Sequence, residues 1–304
     1  MSASSPDVVA VVVLTWNGRE DTLACLASLG RVPDRPELIV VVDNASTDGT
    51  AAAVAARFPQ VELVRSPENR GFAGGNNLGI ERALELGADH VLVLNNDAEA
   101  EPGAIRALVE AAAVRPDAGS VGSKILFADP PDLVWFAGAD YDPRRGYNGR
   151  QRGYREPDGE RWGGVRETDR ACGAAMLVPR AVFERVGAFD ESLFLYAEDV
   201  EWSLRAARAG FRHYVVGESV VRHHVSAAAG GESSPLTLYY GLRNSLVVAE
   251  RYAPLGVAGT WRRRLVLLGA HAAQALLAPG RVAGLRSVVA GFRDGLRRRL
   301  GPRR

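Results

Sequence analysis

The chain of 304 residues is 47% apolar, 24% charged and 7% aromatic, a globular mixture that excludes a wholly disordered chain, a collagen and a small disulfide scaffold. Its formal net charge of +1 conceals an asymmetry, because residues 261–304 hold eleven arginines and one acid, a net +10, which leaves −9 on the first 260 residues. An acidic body with a basic tail points to an anionic partner for the tail, phospholipid or nucleic acid, unless the tail is simply a solvated Arg-rich helix. Cys25 and Cys172 fit no metal or redox spacing, so a reduced, cytoplasmic setting is expected. No signal-peptide pattern opens the chain. The longest apolar stretch of the tail, 265–278, contains His271 and Gln274 and is too short and too polar for a membrane span.

In chain order, the β-branched run 8–14 predicts a strand buried on both faces, as in a parallel sheet. A helix follows over 21–29, then a strand over 38–42 ending at Asp43, and an Ala-rich helix over 50–58. A third strand covers 61–64, a helix 76–86, and a fourth strand 91–94, ending at Asn95-Asn96-Asp97. Pro102 suits the first turn of the next helix, which reaches about Val114. Four alternations of strand and helix define a doubly wound α/β half with a mostly parallel sheet. Ligands bind such sheets beyond the carboxyl ends of the strands. The polar clusters Thr15-Trp16-Asn17, Asp43-Asn44-Ala45-Ser46 and Asn95-Asn96-Asp97 stand at those ends.

Over 129–169 the pattern loosens into a long loop region, with room for short antiparallel strands. Its aromatic residues, Trp135, Tyr141, Tyr147 and Trp162, could stack on the rings of a ligand or simply anchor the loop. A small apolar run covers 171–178, a short helix 181–186, and a helix 198–209 ending at Gly210. A short strand over 214–216 precedes His223-His224. Helix resumes over 236–252, and one or two amphipathic helices begin at Arg262.

No Gly-x-Gly-x-x-Gly follows the first strand, which weakens a dinucleotide-binding reading. Gly71, Gly74 and Gly75 permit either close approach to a ligand or a structural turn. Asp97, pinned at a strand end, suits a hard divalent cation shared with substrate phosphates, or else a helix cap. Glu198, Asp199 and Glu201 crowd a helix start. Acids there complement the helix dipole, and one beside Phe194, Leu195 and Trp202 could be a general base. One of His223 and His224 could be a metal ligand.

Together, Leu14-Thr15-Trp16-Asn17-Gly18, 42–50, 69–79, Leu94-Asn95-Asn96-Asp97 and 196–202 resemble family 2 glycosyltransferases, most closely the rhamnosyltransferase-like branch, over roughly residues 8–252. The resemblance implies a GT-A fold: α/β, a mostly parallel central sheet with helices on both faces, plus a C-terminal helical extension. Residues 1–252 would form the catalytic domain (1–115 the nucleotide-binding half, 116–252 the acceptor half) and 253–304 a basic amphipathic tail. It also implies an inverting transfer of rhamnose or another hexose from a dTDP- or UDP-sugar, with Mg²⁺ or Mn²⁺, to a glycan or polyprenyl-diphosphate-linked sugar. By position, Asp43 matches the acid that contacts the base and ribose, with Thr15 and Asn17 lining the same pocket. Asn44, Arg70, Asn95 and Asn96 fall within the matching donor segments. Asp97 matches the last acid of the metal-binding Asp-x-Asp motif, here Asn95-Asn96-Asp97. His223 matches the histidine completing the metal and diphosphate site. Asp199 matches the catalytic base, with Glu198 beside it. Tyr240, Arg243 and Asn244 resemble a patch near the phosphates, with Arg243 as the phosphate contact.

Inversion requires one positioned carboxylate to take a proton from a sugar hydroxyl, and donors or a cation for the leaving diphosphate. Two other classes compete. A non-catalytic nucleotide-sugar-binding module of the same fold would dispense with the base. A nucleotidyltransferase would place a Gly-rich phosphate loop after the first strand, where Trp16-Asn17-Gly18 stands. In the glycosyltransferase reading nucleic acid is no longer a partner, and the basic tail is expected to hold the enzyme peripherally on an anionic inner membrane face.

Overall fold

A computed structural model describes residues 7–146, 150–225 and 233–303. The chain opens with β1 (Val9–Thr15), α1 (Arg19–Arg31), β2 (Leu38–Asp43), α2 (Thr50–Arg57), β3 (Glu62–Arg65), α3 (Gly71–Glu85) and β4 (His90–Asn95). It continues through β5 (Ala98–Ala100), α4 (Ala104–Ala113), β6 (Ala118–Phe127), β7 (Val134–Phe136), β8 (Ala139–Asp140), β9 (Arg150–Gln151), β10 (Val165–Thr168) and β11 (Ala175–Pro179). The remainder is α5 (Arg180–Val186), α6 (Glu198–Arg208), β12 (Arg212–His223), α7 (Pro235–Tyr252), α8 (Val257–Leu277) and α9 (Arg281–Leu296).

One sheet organises the molecule, in the order β10-β12-β6-β11-β4-β1-β2-β3, with β5 added to β12 and β7 to β6. Strands β3, β2, β1 and β4 are parallel neighbours, and β11 inserts antiparallel between β4 and β6. The β-branched run of β1 is buried because apolar clusters cover both faces of the sheet. Register then fixes the functional edge. Thr15 lies beside Asp43 and Leu14 beside Asn95, so all three polar clusters emerge at one end. At the far side β12 pairs its last residue, His223, with Ala98, next to Asp97.

Three elements differ from the sequence expectation. Helix α3 starts at Gly71 rather than at residue 76, so Gly74 and Gly75 are helical. A Cβ on Gly75 would lie 2.4 Å from Leu14 Cδ1, and one on Gly79 2.3 Å from Val12 Cγ1. These glycines let the helix sit directly on β1. The short strand at 214–216 is part of the twelve-residue β12. Gly217-Glu218-Ser219 masks its continuity, because the register shifts between Val216 and Val220. Gly217 is required there, since a Cβ would meet the Trp162 carbonyl at 2.1 Å. Pro102 precedes α4 instead of joining its first turn, and Gly103 at φ +85° starts that helix.

The basic tail folds onto α7. Leu238, Leu242 and Leu246 of α7 pack with Leu267 and Ala275 of α8 and Val288 of α9. Gly291 and Gly295 bring α9 against the α7 backbone, where a Cβ would lie 2.5 Å from the Tyr239 carbonyl and 3.2 Å from that of Arg243. Arg263 is buried and donates to the carbonyls of Pro143 and Ala253. Arg264 pairs with Glu250. Among the described residues no helix is long and apolar enough to cross a membrane.

Candidate active site

The first part of the site is a set of cross-linked loops at the ends of β1 and β2. Asn17, at φ +52°, accepts the Thr47 N–H through Oδ1 at 2.8 Å, and its own N–H donates to Ser46 Oγ at 3.0 Å. Asp43 is buried and accepts the Ser46 N–H at 3.2 Å. Thr15 is buried and shares a 2.8 Å hydroxyl hydrogen bond with Thr22, to which Asn96 also donates at 3.2 Å. Asn44 is a tie rather than an open contact. Its amide donates to Asn69 Oδ1 and the Gly71 carbonyl, and its Oδ1 accepts the Arg70 N–H. The Arg70 guanidinium pairs with Glu191 at 2.8 Å.

The second part lies where β4 and β12 end. His223 Nε2 stands 3.0 Å from Asp97 Oδ1 and 3.3 Å from Asn95 Nδ2. Both Asp97 and His223 are buried. The edge of His223 meets the Trp135 ring, centroids 4.7 Å apart, and its Nδ1 is buried with no hydrogen-bond partner. His224 is exposed and turned to Glu99 at 3.2 Å, so it is His223 that faces the site. A carboxylate oxygen and an imidazole nitrogen converging in this way suit a divalent cation that takes its remaining ligands from a diphosphate and water. Among the described residues no third His, Cys, Asp or Glu completes a protein-only metal site.

The third part is the start of α6. Asp199 accepts Arg170 Nη1 at 2.7 Å and the Gly173 N–H at 3.2 Å on Oδ2, and the Val200 N–H at 2.7 Å on Oδ1. The helix N-terminus and the guanidinium together fix the position of this carboxylate. Burial opposes charge on Arg170, but Asp199 outweighs it and the guanidinium is held above its ordinary value. Glu198 has the opposite environment. Burial first, then the neighbouring Asp199, pushes its carboxyl up to about 8, and its Oε2 has no hydrogen-bond partner. Two adjacent carboxyl groups are thereby pushed apart in role. The loop between β10 and β11 joins the second and third parts, because Ala174 O accepts the Asn95 N–H at 3.0 Å while Gly173 N–H holds Asp199.

Two sequence expectations change. Arg243 is only 1% exposed, and its guanidinium donates to Asn244 Oδ1 and to the carbonyls of Gly301 and Leu193. Its donors are spent inside the protein, so it does not offer the expected phosphate contact. Of the loop aromatics, Trp135 reaches the site through His223, whereas Trp162 packs with Val134 and Val220 under Arg161 and Arg166. Tyr141 packs in the cluster of Leu193 and Val248, and Tyr147 lies outside the described residues. The residue that sequence reasoning missed is Arg170, whose partner lies 29 positions away.

Solved structures share this architecture. The mannosyltransferase PcManGT from Pyrobaculum calidifontis, in complex with GDP-Man and Mn²⁺, matches with a TM-score of 0.58 at 20% identity, over 97% of this chain and 90% of that one. TarS 1-349 of S. aureus in complex with UDP-GlcNAc matches at 0.59 and 16% identity, over 94% and 81%. The fold is thus that of a GT-A glycosyltransferase, mixed α/β with appended C-terminal helices. The glycosyl transferase family 2 model matches residues 10–186. The N-acetylglucosaminyl-diphospho-decaprenol L-rhamnosyltransferase of Mycobacterium tuberculosis is 30% identical over 85% of this chain and 88% of its own. The dTDP-rhamnosyl transferase RfbF of Shigella flexneri is 25% identical over 81% and 82%. This chain belongs to glycosyl transferase family 2, and it is a hexosyltransferase.

Proposed function

We propose that the protein transfers L-rhamnose, with inversion, from dTDP-rhamnose to a sugar carried on a polyprenyl diphosphate, in cell-surface polysaccharide synthesis. The named activities of the relatives support the donor and acceptor classes. The observation that carries the chemistry is that one loop, through Gly173 and Ala174, both holds the Asp199 carboxylate at the start of α6 and fixes Asn95 beside Asp97 and His223.

In this reading Asp43, with Thr15 and Asn17, receives the base and ribose at the ends of β1 and β2. Asp97 and His223 would hold a divalent ion, Mg²⁺ or Mn²⁺, which when bound offsets charge developing on the departing diphosphate. Asp199 accepts the proton of the acceptor hydroxyl as its oxygen bonds to the anomeric carbon and the carbon–oxygen bond to the nucleoside diphosphate breaks. Such a base contributes roughly 10²–10⁴-fold. Arg170 holds Asp199 in place, and Glu198 stays neutral beside it, so one charge faces the acceptor. The tail rests on an anionic membrane surface where the lipid-linked acceptor resides. The experiment is acceptor-dependent release of nucleoside diphosphate from a panel of donors with either metal. Turnover of dTDP-rhamnose is expected. Donor binding without turnover on any acceptor would instead favour a binding module.

A further inference from the structure

The segment joining the donor half to the base helix is unusual in its backbone. Phe194, Tyr196 and Ala197 all lie in the left-handed region, at φ +66°, +66° and +68°, and none is glycine. Ala197 is the cap residue of α6, so this backbone aims Glu198 and Asp199 directly. Residues of these types hold such angles only where the surroundings impose them.

Two side chains of α7 make most of the hydrogen bonds that impose these angles. Asn244 Nδ2 faces three carbonyls of the loop, those of Leu193 at 2.9 Å, Leu195 at 2.9 Å and Tyr196 at 2.7 Å. Arg243 Nε donates to Asn244 Oδ1 at 2.8 Å, which fixes the amide the right way round. Its Nη2 adds a bond to Leu193 O at 2.8 Å, and its Nη1 reaches Gly301 O, whose residue in turn donates to Ser192 O. Phe194 stacks on Tyr240, ring centroids 5.4 Å apart. The loop also reaches the donor half. Phe194 O accepts the Phe72 N–H at 2.6 Å, and a Cβ on Gly71 would collide with that oxygen at 2.2 Å.

We propose that Asn244, oriented by Arg243, is a positioning residue that splints the left-handed 193–197 loop and so sets the reach of Asp199 toward the acceptor. Asn244 is buried with its donors directed at protein carbonyls, and it touches no reacting atom. Its effect passes through the loop. The proposal rests on Asp199 being the base.

The test compares Asn244→Ala, Asn244→Ala with Ala197→Gly, and Arg243→Lys with the wild-type protein, each checked for folding by circular dichroism. Steady-state transfer and calorimetric donor binding are measured. A misplaced base predicts a fall in kcat of about 10- to 100-fold with donor Kd within about threefold of wild type. Ala197→Gly, which accepts φ > 0 freely, is expected to restore part of the lost kcat. If Asn244→Ala does not fold, Arg243→Lys is judged by the same split between kcat and Kd. Unchanged kcat in a folded variant would overturn the proposal. So would a rise in donor Kd matching the fall in kcat, which would mean that the pair serves the donor phosphates. Failure of the base assignment shows separately, as full activity in Asp199→Asn with Asn244 intact.

Discussion

At the scale of single residues, the site separates adjacent acids by environment. Asp199 has a guanidinium and two backbone N–H groups, whereas Glu198 is buried with an unpartnered oxygen. Because the Glu198 carboxyl is raised from 4.5 to about 8, the folded protein keeps a proton that the unfolded chain releases in between. Its contribution to stability is full below the unfolded value and is lost as pH rises through about 8. Glu198→Gln is therefore expected to flatten the decline of unfolding free energy between about pH 5 and about pH 8, a difference on the order of a few kcal/mol in denaturant titrations. An unaltered slope would contradict the assignment. Asp43, Asp97, Asp199 and His223 were all legible in the sequence as polar residues at the ends of apolar runs or at a helix start. Arg170 was not, and Arg243, read as a phosphate contact, is an internal brace. A buried arginine looks like a surface one until its distant carbonyl or carboxylate partner is known.

At the scale of elements, the alternation of strands and helices through β4 could be read directly, since β1, β2 and β4 are apolar runs covered on both faces and the edge strand β3 is partly exposed. The errors fell where glycine serves packing. In α3, Gly75 and Gly79 face β1, and their lack of a side chain is what brings helix and strand together. Gly79→Ala is expected to destabilise by about 1–3 kcal/mol through overpacking against Val12, lowering Tm by several degrees in thermal unfolding. An unchanged Tm would show that Val12 yields freely. In β12 a bulge at Gly217 hid seven residues of strand, and with them the pairing that delivers His223 to Asp97. In α9, Gly284, Gly291 and Gly295 lie on the face turned to α8 and α7, a signal that the tail packs against the body.

At the scale of the whole molecule, the charge asymmetry takes on a shape. Part of the basic tail is turned inward, with Arg263 buried and Arg264 half-buried, while the exposed Arg303 is tied to the body by its backbone N–H, which donates to Tyr240 Oη at 2.7 Å. What remains outside is mixed. Val257, Trp261 and Leu265 are exposed at four-residue spacing along α8, and Leu277 and Val282 are exposed around the turn into α9. Arg262, Arg281 and Arg286 are exposed on the same helices. Apolar side chains flanked by arginine are suited to an anionic bilayer surface, each arginine adding about 1 kcal/mol near it. Sedimentation with vesicles containing phosphatidylglycerol is expected for the wild-type protein and not with phosphatidylcholine alone, and the double variant Trp261→Glu, Leu265→Glu is expected to stay in the supernatant. Equal sedimentation of the two proteins would remove this face from the account.

The proposed chemistry turns on Asp199 as the base of a sugar transfer. Its most direct test is Asp199→Asn in the acceptor-dependent release assay, with donor affinity measured on the same preparation. A fall in kcat of roughly 10²–10⁴-fold with donor binding retained is expected; full transfer activity in that variant would rule Asp199 out as the base.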